Sequence, residues 1–262
     1  MVQTYFSAES WFQKVLAAER ACFVGLWLGV LSPNKLYATV EEYYTRSGRS
    51  LQGHHDYHSK EYNRGGLFDW EKDALTRHFG HSKRLLLLGA GGGREALAFL
   101  QSGYDVDGYE SHPDLVAAAN ELLQAEGFEP IVHLIAPDEG PTTGTTYDGI
   151  VVGWGMYMSI RTRRRRIAFL RQLRTQTRAR CPILLSFFPR NPANRQYPLS
   201  AIIATAVRRV LHQKPAEVGD WLAPFYVHHF TQNEISSELA EGGFKLAHYG
   251  TIEYGHAVGL AL

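Results

Sequence analysis

A glycine-rich segment over residues 84 to 110 holds the residues of this chain whose types and spacing best suit ligand binding. An apolar strand over residues 85 to 88 runs directly into a cluster formed by Gly89, Gly91, Gly92 and Gly93. Glycines allow a tight turn and the close approach of a ligand, and a carboxylate at the tip of the next strand can hold ribose hydroxyls. The segment therefore predicts the opening β-α-β unit of a nucleotide-binding sheet, with Glu110 at that tip.

The spacing of the glycines distinguishes between kinds of nucleotide. A dinucleotide fingerprint requires its third glycine where this chain has Arg94, and the chain instead reads G-x-G-x-G from Gly89 to Gly93. This pattern resembles motif I of the class I S-adenosylmethionine-dependent methyltransferases. The resemblance implies that the loop wraps the amino-acid part of S-adenosyl-L-methionine and that Glu110 binds its ribose. A tight turn that binds nothing is the alternative, and the joint presence of strand, glycines, helix and acid disfavours it.

Later segments continue the alternation of strands and helices. Helix signals cover residues 113 to 126, and a Thr231/Glu234 capping box predicts a late helix that stops at Gly242 and Gly243. Further strands are predicted at 130–135, 148–152, 182–188, 244–249 and 256–262. The expected fold is α/β, a Rossmann-like seven-stranded, mostly parallel sheet with an antiparallel last strand, as the resemblance implies, plus an N-terminal helical cap.

The resemblance also assigns cofactor contacts to individual positions. Asp138 follows the third strand, where the family usually places an acid or polar group near the adenine amine. Gly153 and Trp154 form the tip of the fourth strand, which should face the glycine loop at the point where strand order reverses. The expected cofactor-binding residues are Gly89, Ala90, Gly91, Gly93, Glu110, Ser111, Asp138, Gly153 and Trp154.

Residues 1 to 80 are the part that the family does not standardise. Helices are predicted at 10–30, 36–44 and near 69–79. We expect residues 1–80 to form a helical cap or lid and residues 81–262 to form the cofactor-binding domain. Two interpretations stay open: the helices enclose the acceptor together with an insertion at 189–230, or they only cover one face of the sheet. Aromatic candidates for lining an acceptor pocket are Tyr57, Tyr62, Trp154, Tyr157 and Tyr226, with Tyr157 better suited to the core.

Two groups of histidines invite interpretation. His228 and His229 precede the Thr231 cap in a region that overhangs the methyl-transfer site in related folds, so the resemblance makes them candidate catalytic residues, His229 first. The alternative is that one ring packs beside Phe230 and hydrogen-bonds a backbone carbonyl. The second group consists of His54, His55 and His58. No Glu stands between them as in a metalloprotease motif, and the sequence offers no third ligand, so we expect no metal site.

The arginines of residues 161–180 carry the strongest competing signal. Nine arginines and no acid occur there, whereas the whole chain has a net charge of only +1. Such a patch could bind RNA. However, apolar residues interleave with the arginines and predict a helix with one buried stripe and one solvated face, at Ile167, Phe169, Leu170 and Leu173.

Composition sets the remaining expectations. The two cysteines, Cys22 and Cys181, lack metal or disulfide spacing, which favours a reducing cytoplasm. We expect an S-adenosylmethionine-dependent methyltransferase that acts on oxygen or nitrogen of a small molecule, with nucleic acid and membrane not expected as partners and a homodimer left open. The alternatives are an RNA methyltransferase, and a non-catalytic nucleotide-sensing or scaffolding protein with the same fold.

Overall fold

The computed structural model describes residues 2–47, 57–222 and 224–262 of the chain, with side chains described from residue 13 onward except at 46–56 and 223. The helices are α1 Val2–Val30, α2 Pro33–Ser47, α3 Lys60–Arg64, α4 Asp69–His78, α5 Arg94–Gln101, α6 Pro113–Ala125, α7 Met156–Ser159, α8 Arg163–Arg174, α9 Gln196–Val210 and α10 Gln232–Gly242. The strands are β1 Arg84–Leu88, β2 Asp105–Glu110, β3 Val132–Leu134, β4 Gly149–Val152, β5 Pro182–Pro189, β6 Asp220–Leu222, β7 Tyr226–Phe230, β8 Phe244–Gly250 and β9 Gly255–Ala261.

The chain divides into two compact units. One combines Met1–Val40 with Arg190–His229, and the other combines Glu41–Pro189 with Phe230–Leu262. This division does not follow the predicted split between residues 80 and 81, because residues 41–80 cluster with the sheet. Residues 1–40 cluster with residues 190–229, and the role of residues 1–80 as a cap or lid stays a prediction.

The larger unit contains a seven-stranded sheet in the order β3-β2-β1-β4-β5-β9-β8. The strands from β3 to β5 pair in parallel, whereas β9 runs antiparallel to both β5 and β8. The predicted α/β sheet with an antiparallel last strand is therefore confirmed. Because the order reverses next to β1, the loops after β1 and β4 meet at the carboxyl edge of the sheet, where open α/β sheets bind ligands.

The central strands are apolar on both faces. All four leucines of β1 from Leu85 to Leu88 are fully buried, which is typical of a parallel strand covered by helices on both sides. One core cluster packs Phe79, Phe99 and Leu122 around the same strands. Burying these side chains anchors the strand ends from which the ligand-binding loops leave.

Most predicted elements of this unit lie within one or two residues of the observed ones. The capping box is confirmed, since the Thr231 hydroxyl accepts from the Glu234 amide while the Glu234 carboxylate accepts from the Thr231 amide. The sequence patterns missed the short helices α3 and α7. A five- or four-residue helix is too short to show an amphipathic period.

The smaller unit pairs the long helix α1 with α9 and carries the β6–β7 hairpin. Val24 and Leu28 of α1 and Ala204 of α9 are buried, and Arg208 Nε donates to the Leu28 carbonyl at 3.0 Å. The hairpin places Asp220 of β6 opposite His228 of β7. Neither α9 nor this hairpin was predicted.

A helix that spans a bilayer needs about 20 predominantly apolar residues. No single helix of the described residues has the length and apolar character to cross it, although the bent pair Gln13–Val30 and Pro33–Thr45, 114° apart, meets the criteria jointly.

Candidate cofactor site

The glycine loop between β1 and α5 is built from left-handed backbone. Gly89, Gly91 and Gly93 have φ values of 68°, 53° and 95°, and Gly93 is the N-cap residue of α5. Residues with a Cβ atom rarely adopt this region, so the G-x-G-x-G spacing corresponds to three positions that require glycine. The loop and the first turn of α5 leave backbone N–H groups at the carboxyl edge of the sheet.

Glu110 ties this loop to the next one. Its Oε2 accepts the Gly91 amide proton at 2.8 Å, and its Oε1 accepts the amide protons of Ser111 and His112 at 2.7 and 3.0 Å. A carboxylate has about four acceptor positions. The one hydrogen bond to Oε2 therefore leaves that oxygen able to accept a further donor, such as a ribose hydroxyl. The structure brings together Gly91, Glu110 and Ser111 as the sequence predicted.

The tip of β4 meets the glycine loop. The Gly153 amide donates to the Leu88 carbonyl at 2.6 Å, and a Cβ atom at Gly153 would lie 2.2 Å from the Gly89 carbonyl oxygen. The Trp154 amide points to Glu95 Oε1 at 3.4 Å. Gly153 and Trp154 thus lie beside Gly89, as predicted, and only glycine fits between the two loops at position 153.

A segment just before α3 covers the glycine loop. The Tyr57 carbonyl accepts from Asn63 Nδ2 at 2.8 Å, and a Cβ atom at Gly92 would lie 1.8 Å from that carbonyl oxygen. The Tyr57 ring lies 3.9 Å from the place of a Cβ atom at Gly91. Gly92 is therefore needed for the approach of this segment, which is a reason that the glycine spacing alone does not reveal.

A buried ion-pair network behind the loop was missed by the sequence analysis. The Arg94 guanidinium forms two hydrogen bonds of 2.7 Å to the Glu71 carboxylate and one of 2.6 Å to Glu95. It also lies over the Phe68 ring at 4.1 Å. Arg94 is the residue at which the chain departs from a dinucleotide fingerprint, and here its side chain fastens the start of α5 to α4.

Asp138, the residue expected near the adenine amine, forms an ion pair within the protein. Its carboxylate accepts from Arg165 Nη1 at 2.9 Å, and its backbone has a φ of 62°. Burial raises the pKa of Asp138, while the hydrogen bond and charge of Arg165 act in the opposite direction. An adenine amine at this position would share the carboxylate with Arg165.

Aromatic side chains gather beside the glycine loop. The Trp154 ring lies 6.1 Å from that of Tyr57 and 5.2 Å from that of Tyr254, measured between ring centroids. Tyr57 and Tyr62 are in mutual contact at 5.9 Å. Tyr254, in the turn before β9, was not predicted, because a single tyrosine in a turn carries no periodic signal. Three of the five predicted pocket aromatics therefore lie in one cluster.

The other two predicted aromatics are buried elsewhere. Tyr157 is fully buried and donates to the Glu238 carboxylate at 2.6 Å, which agrees with the expected core position. Tyr226 is buried in the smaller unit, where its hydroxyl donates to Asp220 at 2.8 Å. Each aromatic hydroxyl that is buried in this way needs a partner, and both have an acid.

The two candidate catalytic histidines differ in their surroundings. His228 is buried, and its Nδ1 lies 2.9 Å from Asp220 Oδ1. Hydrogen bonds and the charge of His228 lower the pKa of Asp220 in spite of its burial, so the carboxylate is the acceptor and His228 Nδ1 is the donor. His229 instead packs on the Tyr197 ring at 5.1 Å, and burial lowers its pKa to about 4.

One group of side chains among the described residues of the smaller unit has the ligand types of a metal site. One set of three converges, formed by Glu217, Asp220 and His228. The Asp220 carboxylate accepts hydrogen bonds from the Tyr226 hydroxyl, from His228 and from the Glu217 amide. His54 and His55 lie outside the described residues, and His58 Nε2 lies 3.3 Å from the Tyr44 carbonyl.

Several arginines of helix α8 form ion pairs or hydrogen bonds with other residues of the protein. Arg166 is 1% exposed and binds Glu238 at 2.8 Å, and Arg165 binds Asp138. Arg163 pairs with Glu241, Arg171 donates to the Glu241 carbonyl, and Arg174 donates to the Thr177 carbonyl. The predicted apolar stripe is confirmed, since the buried residues of α8 include Ile167, Phe169, Leu170 and Leu173.

Comparisons with known proteins agree with this topology. No family model and no curated protein sequence matches the chain. Among solved structures, the chain is similar to an S-adenosylmethionine-dependent methyltransferase from Methanosarcina mazei, with a TM-score of 0.59, 16% identity, and coverage of 75% of this chain and 99% of that one. It is also similar to an S-adenosylmethionine-bound amino pentose methyltransferase of calicheamicin biosynthesis from Micromonospora echinaspora (TM-score 0.56, 15% identity, coverage 82% and 100%).

A third similar structure is magnesium protoporphyrin IX methyltransferase from Synechocystis with bound S-adenosylmethionine (TM-score 0.55, 14% identity, coverage 87% and 97%). At these identities the likeness defines the fold. The chain has the fold of the class I S-adenosylmethionine-dependent methyltransferases, as the resemblance of its glycine motif predicted.

Proposed function

We propose that this protein is an S-adenosylmethionine-dependent methyltransferase that transfers a methyl group to oxygen or nitrogen of a small-molecule acceptor. The observation that carries the proposal is the hydrogen bond from the Gly91 amide to Glu110 at the carboxyl edge of the sheet. It joins a glycine loop in left-handed backbone to an acid at the tip of β2, within a fold that is similar to those of solved methyltransferase structures.

The residues present fit this cofactor. The glycine loop from Gly89 to Gly93 would hold its amino-acid part through backbone N–H groups, and Glu110 would accept its ribose hydroxyls. Ala90, Ser111, Gly153 and Trp154 complete the predicted set, and Asp138 would accept the adenine amine beside Arg165. When bound, the cofactor supplies an activated methyl group, so the protein has to orient the acceptor and exclude water, effects worth about 7–11 kcal/mol in favourable cases.

The aromatic cluster of Tyr57, Trp154 and Tyr254 supports a small acceptor. Tyr57 packs against the glycine loop, so its side chain is suited to covering the methyl group. Similar structures include enzymes named for an amino pentose and for magnesium protoporphyrin IX. A planar or cationic acceptor would gain from the ring faces.

The RNA alternative finds less support. Arg163, Arg165 and Arg166 already bind acids of the protein itself. Phosphate contacts would have to compete with these ion pairs, and binding of nucleic acid depends on basic side chains that can release counterions.

His228 is the better supported of the two candidate bases. The hydrogen bond between its Nδ1 and Asp220 orients the ring, and an acid that orients the histidine is the usual partner of a histidine base. His229 instead packs on the Tyr197 ring. We therefore assign acceptor deprotonation to His228 where the acceptor is a hydroxyl, and an amine acceptor would need no base.

An incubation with labelled cofactor tests the proposal. The protein is mixed with methyl-labelled S-adenosylmethionine and either the low-molecular-mass fraction or the RNA fraction of a cell extract. We expect label in small molecules, identified by mass spectrometry, and none in RNA. Label in RNA alone would favour the alternative, and cofactor binding without any labelled product would favour a non-catalytic role.

A further inference from the structure

A cavity lies at the end of the sheet opposite the glycine loop. It has a volume of about 430 Å³ and opens where β1, β4 and β5 begin. Its walls come from the chain just before each strand, at His81, Tyr147 and Cys181, together with the end of α4. Cavities of this volume are within the range that binds small molecules in proteins.

Most of the ionisable side chains that line the cavity are basic. Three arginines, Arg77, Arg178 and Arg180, and two histidines face a single carboxylate, that of Asp148. Asp148 Oδ2 lies 3.4 and 3.3 Å from the amide nitrogens of Lys83 and Arg84, which donate to it and offset part of its charge. The local charge is therefore positive in a chain whose net charge is only +1.

Two of these arginines have no internal role in the described part of the chain. Arg77 binds Asp73 at 2.7 Å, whereas the side chains of Arg178 and Arg180 form no hydrogen bond or ion pair with a described residue. A cation in the last turn of a helix offsets the helix dipole. Helix α8 ends at Arg174, so Arg178 and Arg180 lie beyond that turn. Neither the fold nor a helix end accounts for them.

The backbone at Arg180 is held in an unfavourable region. Its φ is 67°, which lies in the left-handed region, and residues other than glycine and asparagine rarely adopt this conformation. Hydrogen bonds fix this turn, since the Arg180 amide donates to the Ala261 carbonyl at 2.7 Å and the Ala261 amide donates to the Cys181 carbonyl at 2.9 Å. Strained residues of this kind gather at ligand sites.

We propose that this cavity, lined by Arg178, Arg180 and His81, binds a small phosphorylated molecule. Guanidinium groups match the geometry of phosphate oxygens and keep their charge at every physiological pH. RNA fits less well, because Arg77, the third arginine, is paired with Asp73, and the exposed Asp105 lies at the same end of the sheet. The site is separate from the cofactor loop, so binding there does not depend on the proposed activity.

Calorimetric titration with inorganic pyrophosphate and with ribose 5-phosphate tests this site. Three proteins are compared: the wild type, Arg178→Ala/Arg180→Asn, and Arg164→Ala/Arg209→Ala. Asparagine tolerates left-handed backbone and keeps the turn, and the control pair removes the same charge from exposed positions. Each titration is repeated with saturating S-adenosylhomocysteine, which separates this site from the cofactor loop.

We expect the wild type and the control pair to bind pyrophosphate equally, with or without S-adenosylhomocysteine. The Arg178/Arg180 variant should bind it at least about tenfold more weakly, since each lost charged hydrogen bond accounts for about that factor. Equal affinity in both double variants, or no binding of either phosphate by the wild type, would overturn the proposal. So would a single-stranded RNA that binds through Arg178 and Arg180 when the small phosphates do not.

If the Arg178/Arg180 variant does not fold, the wild type still gives an answer. Phenylglyoxal modifies accessible arginines, and mass spectrometry locates the modified residues. Pyrophosphate should protect Arg178 and Arg180 and leave Arg164 reactive. Equal modification of all three arginines with and without pyrophosphate would contradict the site.

Discussion

The two ends of the parallel strands use different parts of the chain to build a site. At the carboxyl end, backbone groups of the glycine loop and the single acid Glu110 form the site, and they lie within 22 residues of one another. At the amino end, side chains from α4, from the turn before β4 and from the turn before β5 line the cavity. A site made from local backbone leaves a motif in the sequence, whereas a site made from distant side chains leaves none.

The largest effect is expected from closing the gap between the two loops at the carboxyl end. Gly153→Ala would place a Cβ atom 2.2 Å from the Gly89 carbonyl oxygen, and backbone atoms cannot move aside cheaply. We expect loss of S-adenosylhomocysteine binding together with a lower melting temperature. Gly80→Ala is the control, since nothing lies within 4 Å of its Cβ position. Normal binding by Gly153→Ala would show that the contact between the loops is dispensable.

A second effect concerns the Asp220–His228 pair of the smaller unit. His228→Gln should lower kcat for a hydroxyl acceptor by about 10²–10⁴, the usual contribution of a general base. His229→Gln is the matched control and should retain most of the activity. If His229→Gln loses the activity and His228→Gln keeps it, the roles are reversed.

A third effect separates internal arginines from those that face a ligand. Glu238→Gln removes the partner of Arg166, and both side chains are 1% exposed. An unpaired buried charge should lower the free energy of unfolding by about 3–5 kcal/mol in urea titrations. Arg164→Ala, at an exposed position of the same helix, should change it by less than about 0.5 kcal/mol. Similar stability of both variants would contradict the internal role of Arg166.

The smallest effect is a pH dependence of stability at His229. Its pKa is about 4 in the folded protein and near 6.5 when unfolded, so the unfolded state binds more protons between these values. The contribution of His229 to the free energy of unfolding is fully present above pH 6.5 and is lost as the pH falls toward 4. In urea titrations, the free energy of unfolding of His229→Gln should change less between pH 7 and 5 than that of the control His212→Asn, which alters an exposed histidine. An unchanged slope would contradict the burial of His229.

These comparisons explain which parts of the molecule could be predicted. The glycine loop, Glu110 and the capping box at Thr231 are each local patterns with one structural reason, and the sequence identified all three. The ion pair between Arg94 and Glu71 joins positions 23 residues apart, and the dyad of Asp220 and His228 depends on an unpredicted hairpin. Contacts of this kind are set by the fold as a whole, and sequence spacing does not encode them.

The segment before α3 shows the same limit within the site itself. In the sequence, Gly92 occupies an unspecified position of the G-x-G-x-G pattern and has no assigned role. In the structure it is the position against which the Tyr57 carbonyl packs, and its backbone is not left-handed. The spacing of the glycines predicted the loop. The Tyr57 carbonyl, which makes glycine necessary at position 92, is evident only in the folded structure.

The central claim is that Glu110 and the glycine loop bind S-adenosylmethionine, and calorimetric titration with S-adenosylhomocysteine tests it most directly. Three proteins are compared: the wild type, Glu110→Gln, and Asp107→Asn, which changes an acid at a position of the same strand away from the loop. We expect binding by the wild type and by Asp107→Asn, and affinity at least about tenfold weaker for Glu110→Gln, because charged hydrogen bonds to the ribose are lost. Tight binding of NAD with no response to S-adenosylhomocysteine, or equal affinity in all three proteins, would contradict the claim.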